Sequence, residues 1–311
     1  MSKPEYVYFR GDYVPFDEAK VSVMTHALNY GTGCFEGIRG YWNEAHQELY
    51  VLKMADHFER IHQSARILRM PLHHTVEELC AIALGLIRRN AFKQDIYLRP
   101  LVYMADELIG ARLHNLTADF TMFATPMSGE PATSGIKVTV SSWRRIDDNA
   151  MPARAKITGT YVNSSLAKTE AYHNGFDDAI FLNTDGHVSE ASGMNLFLVR
   201  KGQLITPGVQ QNILEGVTRQ AVMTIAKETL GIETLERPVD RTELYVCDEM
   251  FLCGTGAQIL PVASIDHRPV GGTGVVGPIT RAIMDHYAQA VRGEHPRFAD
   301  WVTPAYASSR N

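Results

Sequence analysis

A polar stretch rich in proline and glycine, Thr125-Pro126-Met127-Ser128-Gly129-Glu130-Pro131, lies between two regions dense in strand and helix patterns. Such a stretch continues neither a strand nor a helix, so the chain is constrained to two bodies. The length, 311 residues, agrees with two domains at roughly 100–200 residues each. The expected division is a small N-terminal domain over 1–124, an interdomain loop over 125–134 and a large C-terminal domain over 135–311.

Before the junction, strand-like and helix-like patterns alternate. Tyr6–Phe9 and Tyr13–Pro15 read as a hairpin around Arg10-Gly11-Asp12, and Leu49–Leu52 as a strand. A helix follows from about Met54 to Leu68, in which Phe58, Ile61, Ala65 and Leu68 recur at spacings of three or four on one apolar face. Val76–Asn90 is a second helix, and Asp95–Tyr103 and Asp119–Ala124 are strands. After the junction, Ile136–Ser141 reads as a strand. Asp178–Leu182 and the segment from Val188 form a hairpin around Asn183-Thr184-Asp185-Gly186. Asn195–Val199 pairs with Leu204–Thr206, and Thr218–Leu230 is a helix stopped by Gly231. Glu249–Cys253 is a strand and Ile279–Arg292 a final helix. The expected class is α+β, with short strands and few parallel βαβ units.

Composition excludes several function classes. A net charge of -5 offers no basic field for nucleic acid or anionic lipid. The longest apolar run, Leu79–Ile87, is too short to span a bilayer. Cys34, Cys80, Cys247 and Cys253 contain no C-x-x-C pair and read as reduced thiols. The opening Met1-Ser2-Lys3-Pro4-Glu5 lacks the apolar core of a signal peptide, so a soluble, cytoplasmic protein is expected. The histidines, including His57, His62, His73 and His74, show no metal-ligand spacing, and no metal is expected.

Four segments carry candidate chemistry. Lys156 has small neighbours, Ala153, Ala155 and Gly159, with Tyr161 five residues on. Schiff-base chemistry needs a desolvated lysine of this kind, because an amine near its solution pKa of about 10.4 is mostly protonated. From composition alone a helix-end or loop lysine is the stronger reading, and the context does not decide for Schiff-base chemistry. Leu214-Glu215-Gly216-Val217-Thr218-Arg219 leads into a helix, where free N–H groups and a dipole effect of about 0.3–2 kcal/mol favour an anion. An ordinary helix start is the alternative. Gly254-Thr255-Gly256, after a strand, offers a backbone nest and a hydroxyl. Glu190, in Ser189-Glu190-Ala191-Ser192-Gly193, could pair with a protonated ring nitrogen, although many strand-end glutamates are simply solvated. Gly272-Thr273-Gly274-Val275-Val276-Gly277 matches G-x-G-x-x-G, but no clear buried strand precedes it, and dinucleotide binding is rejected. No G-x-S-x-G elbow is present.

In order and spacing, these segments resemble the class IV (fold type IV) pyridoxal-phosphate aminotransferases, most closely the branched-chain amino acid aminotransferases. The resemblance is carried by Tyr30-Gly31-Thr32-Gly33-Cys34-Phe35-Glu36-Gly37-Ile38-Arg39, His57-Phe58-Glu59-Arg60-Ile61, Tyr97-Leu98-Arg99-Pro100-Leu101 and Ala155-Lys156. It continues through Tyr161-Val162-Asn163-Ser164, Ser189 to Phe197, Leu214 to Arg219 and Gly254-Thr255-Gly256. It implies the two-domain fold of the D-amino acid aminotransferase type, a small α/β domain with a larger β-barrel-like one.

The resemblance also implies roles. Lys156 would be the catalytic residue, holding pyridoxal 5'-phosphate as a Schiff base. Glu190 would keep the pyridine nitrogen protonated, Tyr161 would meet the ring hydroxyl, and Leu214 would pack on the ring. Arg60, Gly216, Val217, Thr218, Gly254 and Thr255 would surround the phosphate; Arg60 reads otherwise as an ordinary helix-face arginine. The substrate carboxylate would meet Thr255 and Gly256 with Tyr97 nearby, Arg99 and Tyr30 would serve an acidic side chain, and Phe35 would form an apolar wall. Tyr30 would reach a neighbouring subunit's site, making a homodimer the minimal unit, with higher assembly possible. The implied reaction is ping-pong amino transfer between leucine, isoleucine or valine and 2-oxoglutarate. The Tyr97-Leu98-Arg99 signature favours this over D-amino acid aminotransferases and lyases. Three departures, the Pro126-Met127-Ser128-Gly129 loop, Met194 in a commonly acidic position and the bulk of Ile157-Thr158, suggest an open pocket. Such a pocket would admit bulkier donors, including (R)-primary amines.

Overall fold

The computed structural model describes residues 3–127, 129 and 134–307; residues 128 and 130–133 of the expected interdomain loop lie outside the described residues. Two compact units emerge. The first holds the chain up to residue 129 with 155–159 and the segment from 289 onward; the second holds 130–154 and 160–288. The short segment bearing Lys156 thus clusters with the first unit.

The first unit begins with β1 (Tyr6–Phe9), β2 (Asp12–Pro15), the short helix α1 (His26–Tyr30), β3 (Gly33–Phe35), β4 (Ile38–Asn43) and β5 (Glu48–Leu52). Helices α2 (Met54–Ile67) and α3 (Val76–Asn90) follow, then β6 (Ile96–Met104) and β7 (Ala118–Pro126). On α2 the apolar stripe read from the sequence is buried, with Phe58 and Ile61 fully enclosed. Each such side chain contributes roughly 1.5–3 kcal/mol. Thr75 and Glu78 close a capping box at the start of α3, worth about 1 kcal/mol.

The second unit contains β8 (Ile136–Arg144), α4 (Tyr161–His173), β9 (Asp178–Leu182), β10 (Val188–Ala191), β11 (Asn195–Arg200) and β12 (Gln203–Thr206). It continues with α5 (Val217–Leu230), β13 (Leu235–Glu236), β14 (Glu249–Gly254), β15 (Gln258–Ile265) and β16 (Arg268–Pro269), and α6 (Pro278–Val291) leads out of it. Strand β17 (Val302–Pro304) then returns to β5 of the first sheet.

The first sheet runs β17-β5-β4-β6-β7-β1-β2 with β3 beside β6, and its pairings are antiparallel. The second runs β10-β9-β8-β15-β14-β11-β12-β13 with β16 beside β15. Its antiparallel hairpins include the two read from the sequence, β9–β10 and β11–β12. The α+β class holds. Two parallel crossovers were not anticipated: β8 pairs parallel to β9 through α4, and β12 to β13 through α5. Helix α4 buries only Ser164, Ala167 and Ala171, while Val162, Leu166 and Tyr172 face outward, so its apolar residues do not mark its inner face. No described helix is long and apolar enough to cross a membrane.

Candidate active site

In the first unit, Lys156 lies on an irregular bend-and-turn segment tied to β3 by one isolated bridge. The Phe35 N–H donates to the Lys156 carbonyl at 3.0 Å, the Thr158 N–H to the Gly33 carbonyl at 2.9 Å, and Cys34 bridges Ile157. The Thr158 hydroxyl donates to the Gly31 carbonyl at 2.7 Å, and the Lys156 N–H donates to Ser64 Oγ of α2 at 3.1 Å. Ala155 and Ile157 are buried and Lys156 is half-buried. The bulk of Ile157 therefore fills the core of this unit. With its backbone fixed on both sides, Lys156 places Nζ 5.2 Å from the Phe35 ring centroid.

Strand β6 brings two further candidates to the same ring. Tyr97 and Arg99 are two residues apart and share a face of the strand. The Arg99 guanidinium carbon lies 4.4 Å from the Phe35 centroid, and Nη2 donates to the Tyr97 hydroxyl at 2.9 Å. Gly37 makes room for this, since a Cβ there would fall 2.0 Å from the Tyr97 hydroxyl oxygen. Lys156, Phe35, Arg99 and Tyr97 thus form one connected group carrying an amine, a guanidinium and a phenol beside an aromatic face.

Arg60 is held from the other side of the Phe35-Glu36 peptide. Its Nε and Nη2 donate to the two oxygens of Glu36 at 2.7 Å each, and His57 Nδ1 lies 2.7 Å from Glu36 Oε2. His57, Arg60 and Ser64, spaced three and four residues apart on α2, all lie on its buried side. Burial would raise the Glu36 carboxyl, but the Arg60 charge and the hydrogen bonds from His57 and Arg60 outweigh it and hold the group well below the usual carboxylate range. Burial lowers the His57 imidazole against the opposing pull of Glu36, so His57 is a neutral donor. Tyr30 makes its contacts elsewhere: its hydroxyl accepts from the Gly110 N–H at 3.0 Å, and its ring packs 4.7 Å from that of His26.

In the second unit Glu190, the third residue of β10, is a buried carboxylate. Arg145 Nη2 lies 2.7 Å from its Oε1, while Asn195 Nδ2 and the Leu214 N–H donate to Oε2 at 2.8 and 3.1 Å. Asn195 also donates to the Leu214 carbonyl at 2.9 Å, and a Cβ on Gly216 would fall 2.1 Å from Asn195 Oδ1. Glu190 and Leu214 are thereby tied to the start of α5. That helix has Gly216 as its N-cap with no side-chain hydrogen bond, and Val217 and Thr218 are buried in its first turn. Gly254, Thr255 and Gly256 lie at the end of β14 and in its turn into β15, where Gly254 packs against Met194. Tyr161 is half-buried as the first residue of α4.

The glycine motif at 272–277 does precede a helix, α6. However, Glu249 accepts from the Ile279 and Thr280 N–H groups at 3.1 and 2.7 Å, so a carboxylate already fills that helix start.

Residues 33–265 match the model of the family described as amino-transferase class IV. The chain belongs to the class IV aminotransferases. A relative from Aquifex aeolicus, a probable branched-chain-amino-acid aminotransferase, is 45% identical over 303 residues, 97% of each chain. Among solved structures, a branched-chain aminotransferase from Thermoproteus uzoniensis with norvaline superposes with a TM-score of 0.93 at 42% identity, covering 97% of this chain and 100% of that one. The T.th. branched-chain amino acid aminotransferase complexed with N-(5'-phosphopyridoxyl)-L-glutamate gives 0.92 at 38% identity, covering 97% and 99%.

Within this class IV chain, three polar residues were not singled out from the sequence. Arg145 follows Arg144 at a strand end and reads as surface charge. Asn195 reads as a strand start. Glu36 lay inside a quoted motif without a role of its own. Polar residues at 57, 60 and 64 on the same side of α2 as Phe58, Ile61 and Ala65 were a usable signal, because buried polar groups need partners.

Proposed function

We propose that this chain transfers amino groups between the branched-chain L-amino acids leucine, isoleucine and valine and 2-oxoglutarate, with pyridoxal 5'-phosphate as cofactor. The observation that carries this is likeness along nearly the whole chain to branched-chain aminotransferases, one of them holding a phosphopyridoxyl-glutamate. The residues present fit the cofactor. Glu190 is a buried carboxylate suited to a protonated ring nitrogen, and α5 starts at a glycine without a side-chain cap, as an anion site requires.

When bound, the cofactor supplies an electron sink for charge developing at the substrate α-carbon. Lys156 Nζ would hold it covalently and carry the proton removed from that carbon. Arg60, Gly216, Val217, Thr218, Gly254 and Thr255 would hold its phosphate, Tyr161 its ring hydroxyl, and Leu214 its ring face. Thr255, Gly256 and Tyr97 would take the substrate carboxylate, Phe35 the branched side chain, and Arg99, with Tyr30 reaching in from a second copy of the chain, the acidic side chain of glutamate. The rigid backbone around Lys156 supports its role, since a proton carrier must return to one place.

The same proposal includes a small domain over 1–124, a loop over 125–134 and a cofactor-binding domain over 135–311, a cytoplasmic location and a homodimer. Exposed Val23, Met24 and Leu28, beside Tyr30, support a second copy covering that face. Likeness to branched-chain enzymes does not favour D-amino acids, (R)-amines or lyase chemistry. The test is product analysis with purified protein: L-leucine and 2-oxoglutarate should yield glutamate over many turnovers. Turnover with D-leucine or an (R)-amine and none with L-leucine would overturn the reading.

A further inference from the structure

Arg145 directly follows β8, and its guanidinium is as buried as the carboxylate of Glu190 2.7 Å away. It is fixed at several points: its N–H donates to the Leu182 carbonyl at 3.0 Å, and its Nε donates to the Asn212 carbonyl at 2.9 Å. Phe181 presents its ring 6.0 Å from the guanidinium carbon. A carboxylate this buried stays ionised only when charge and hydrogen bonds hold it so. Asn195 and the Leu214 N–H orient Glu190 but carry no charge. Arg145 brings a full positive charge to within 2.7 Å of Oε1. From β14, Cys253 also senses Glu190, but burial pushes that thiol far above its usual range; Arg219 of α5 pulls it back only in part and is itself paired with Glu236.

We infer that Arg145 is a positioning residue that keeps Glu190 ionised and fixes its direction, so that the carboxylate can hold a proton on the cofactor's ring nitrogen. This rests on the assignment of Glu190 to that nitrogen under Proposed function. Without the guanidinium, the buried carboxyl would take up a proton itself as the pH falls.

The experiment measures the dissociation constant of pyridoxal 5'-phosphate from apoprotein between pH 5 and 8.5, for wild type, Arg145→Gln, Arg145→Lys, Glu190→Gln and Arg145→Gln/Glu190→Gln. The cofactor's own ionisations are common to all five proteins. An opposite charge at this range displaces a carboxyl by about 1–3 pH units. Arg145→Gln should therefore raise the midpoint of the acid loss of affinity by about one unit or more, with partial recovery in Arg145→Lys. Glu190→Gln should lack that limb, and the double variant should match it, since Arg145 acts through Glu190. An unmoved midpoint in Arg145→Gln, with the limb absent in Glu190→Gln, overturns the role of Arg145 alone. An Arg145→Gln effect that persists in the Glu190→Gln background does the same. A wild-type limb in Glu190→Gln overturns the assignment of Glu190 and the inference with it. Should Arg145→Gln fail to fold, Arg145→Lys with its Glu190→Gln double gives the same cycle, and no shift there overturns the inference.

Discussion

Glu36→Gln is the substitution whose cost follows most directly from the structure. Glu36 is fully enclosed and accepts three short hydrogen bonds, two from Arg60 and one from His57. The amide keeps the shape but replaces one acceptor oxygen with a donor, which must face the N–H groups of Arg60 or His57. Arg60 is left buried without its counter-charge. Breaking a buried ion pair by removing one partner costs about 3–5 kcal/mol, and the absence of solvent at Glu36 places this case toward the upper end. For a unit of this size each kcal/mol lowers the midpoint of thermal unfolding by about 2–4 °C, so a fall of about 10 °C or more is expected. Scanning calorimetry of the apoprotein reads it. The double variant Glu36→Gln/Arg60→Gln should recover part of the loss, because no buried cation then stands alone. A midpoint for Glu36→Gln within about 2 °C of wild type, less than a single kcal/mol would produce, would refute the reasoning. So would a double variant worse than the sum of the singles.

Further outcomes are expected. Gly216→Ala drives a methyl into Asn195, whose bonds to Glu190 and Leu214 are then lost; at about 1.5–3 kcal/mol for a bond to a charged group, cofactor affinity should fall tenfold or more by equilibrium titration. Gly37→Ala displaces Tyr97 from Arg99, and should raise KM for 2-oxoglutarate by about tenfold while leaving cofactor affinity near wild type. Acid should destabilise the fold through both buried partners. The folded-state values of His57 and Glu36 lie below their unfolded values, so the unfolded chain binds more protons. Stability is then lost below about pH 6.5 for His57 and below about pH 4.3 for Glu36. Denaturant titrations at pH 7 and pH 5 should show a smaller difference in His57→Asn than in wild type; an equal difference would contradict the assignment.

The legible parts of the fold were those where one residue pattern decides one element. The stripe of Phe58, Ile61, Ala65 and Leu68 marked α2, and Gly231, in left-handed conformation, ended α5 as read. Helix α4 escaped because its inner face is made of Ala and Ser. The segment at 155–159 showed no strand pattern because it is a bend and a turn that meet β3 through a single bridge. The chemistry divides the same way. Lys156, Glu190 and the glycine turns could be picked out as candidates from local context, although only the resemblance gave them roles, whereas Arg145 and Glu36 pair with partners 45 and 24 positions away, a relation visible only once the sheet and helix α2 bring them together.

The most direct test of the central claim is the visible absorption spectrum of purified protein reconstituted with pyridoxal 5'-phosphate, recorded before and after L-leucine is added without an oxo acid. A yellow band that collapses toward the near-ultraviolet, and returns on adding 2-oxoglutarate, is the expected result; Lys156→Ala should abolish the response. A protein that takes up no cofactor, or a yellow one that L-leucine leaves unchanged, would contradict the claim.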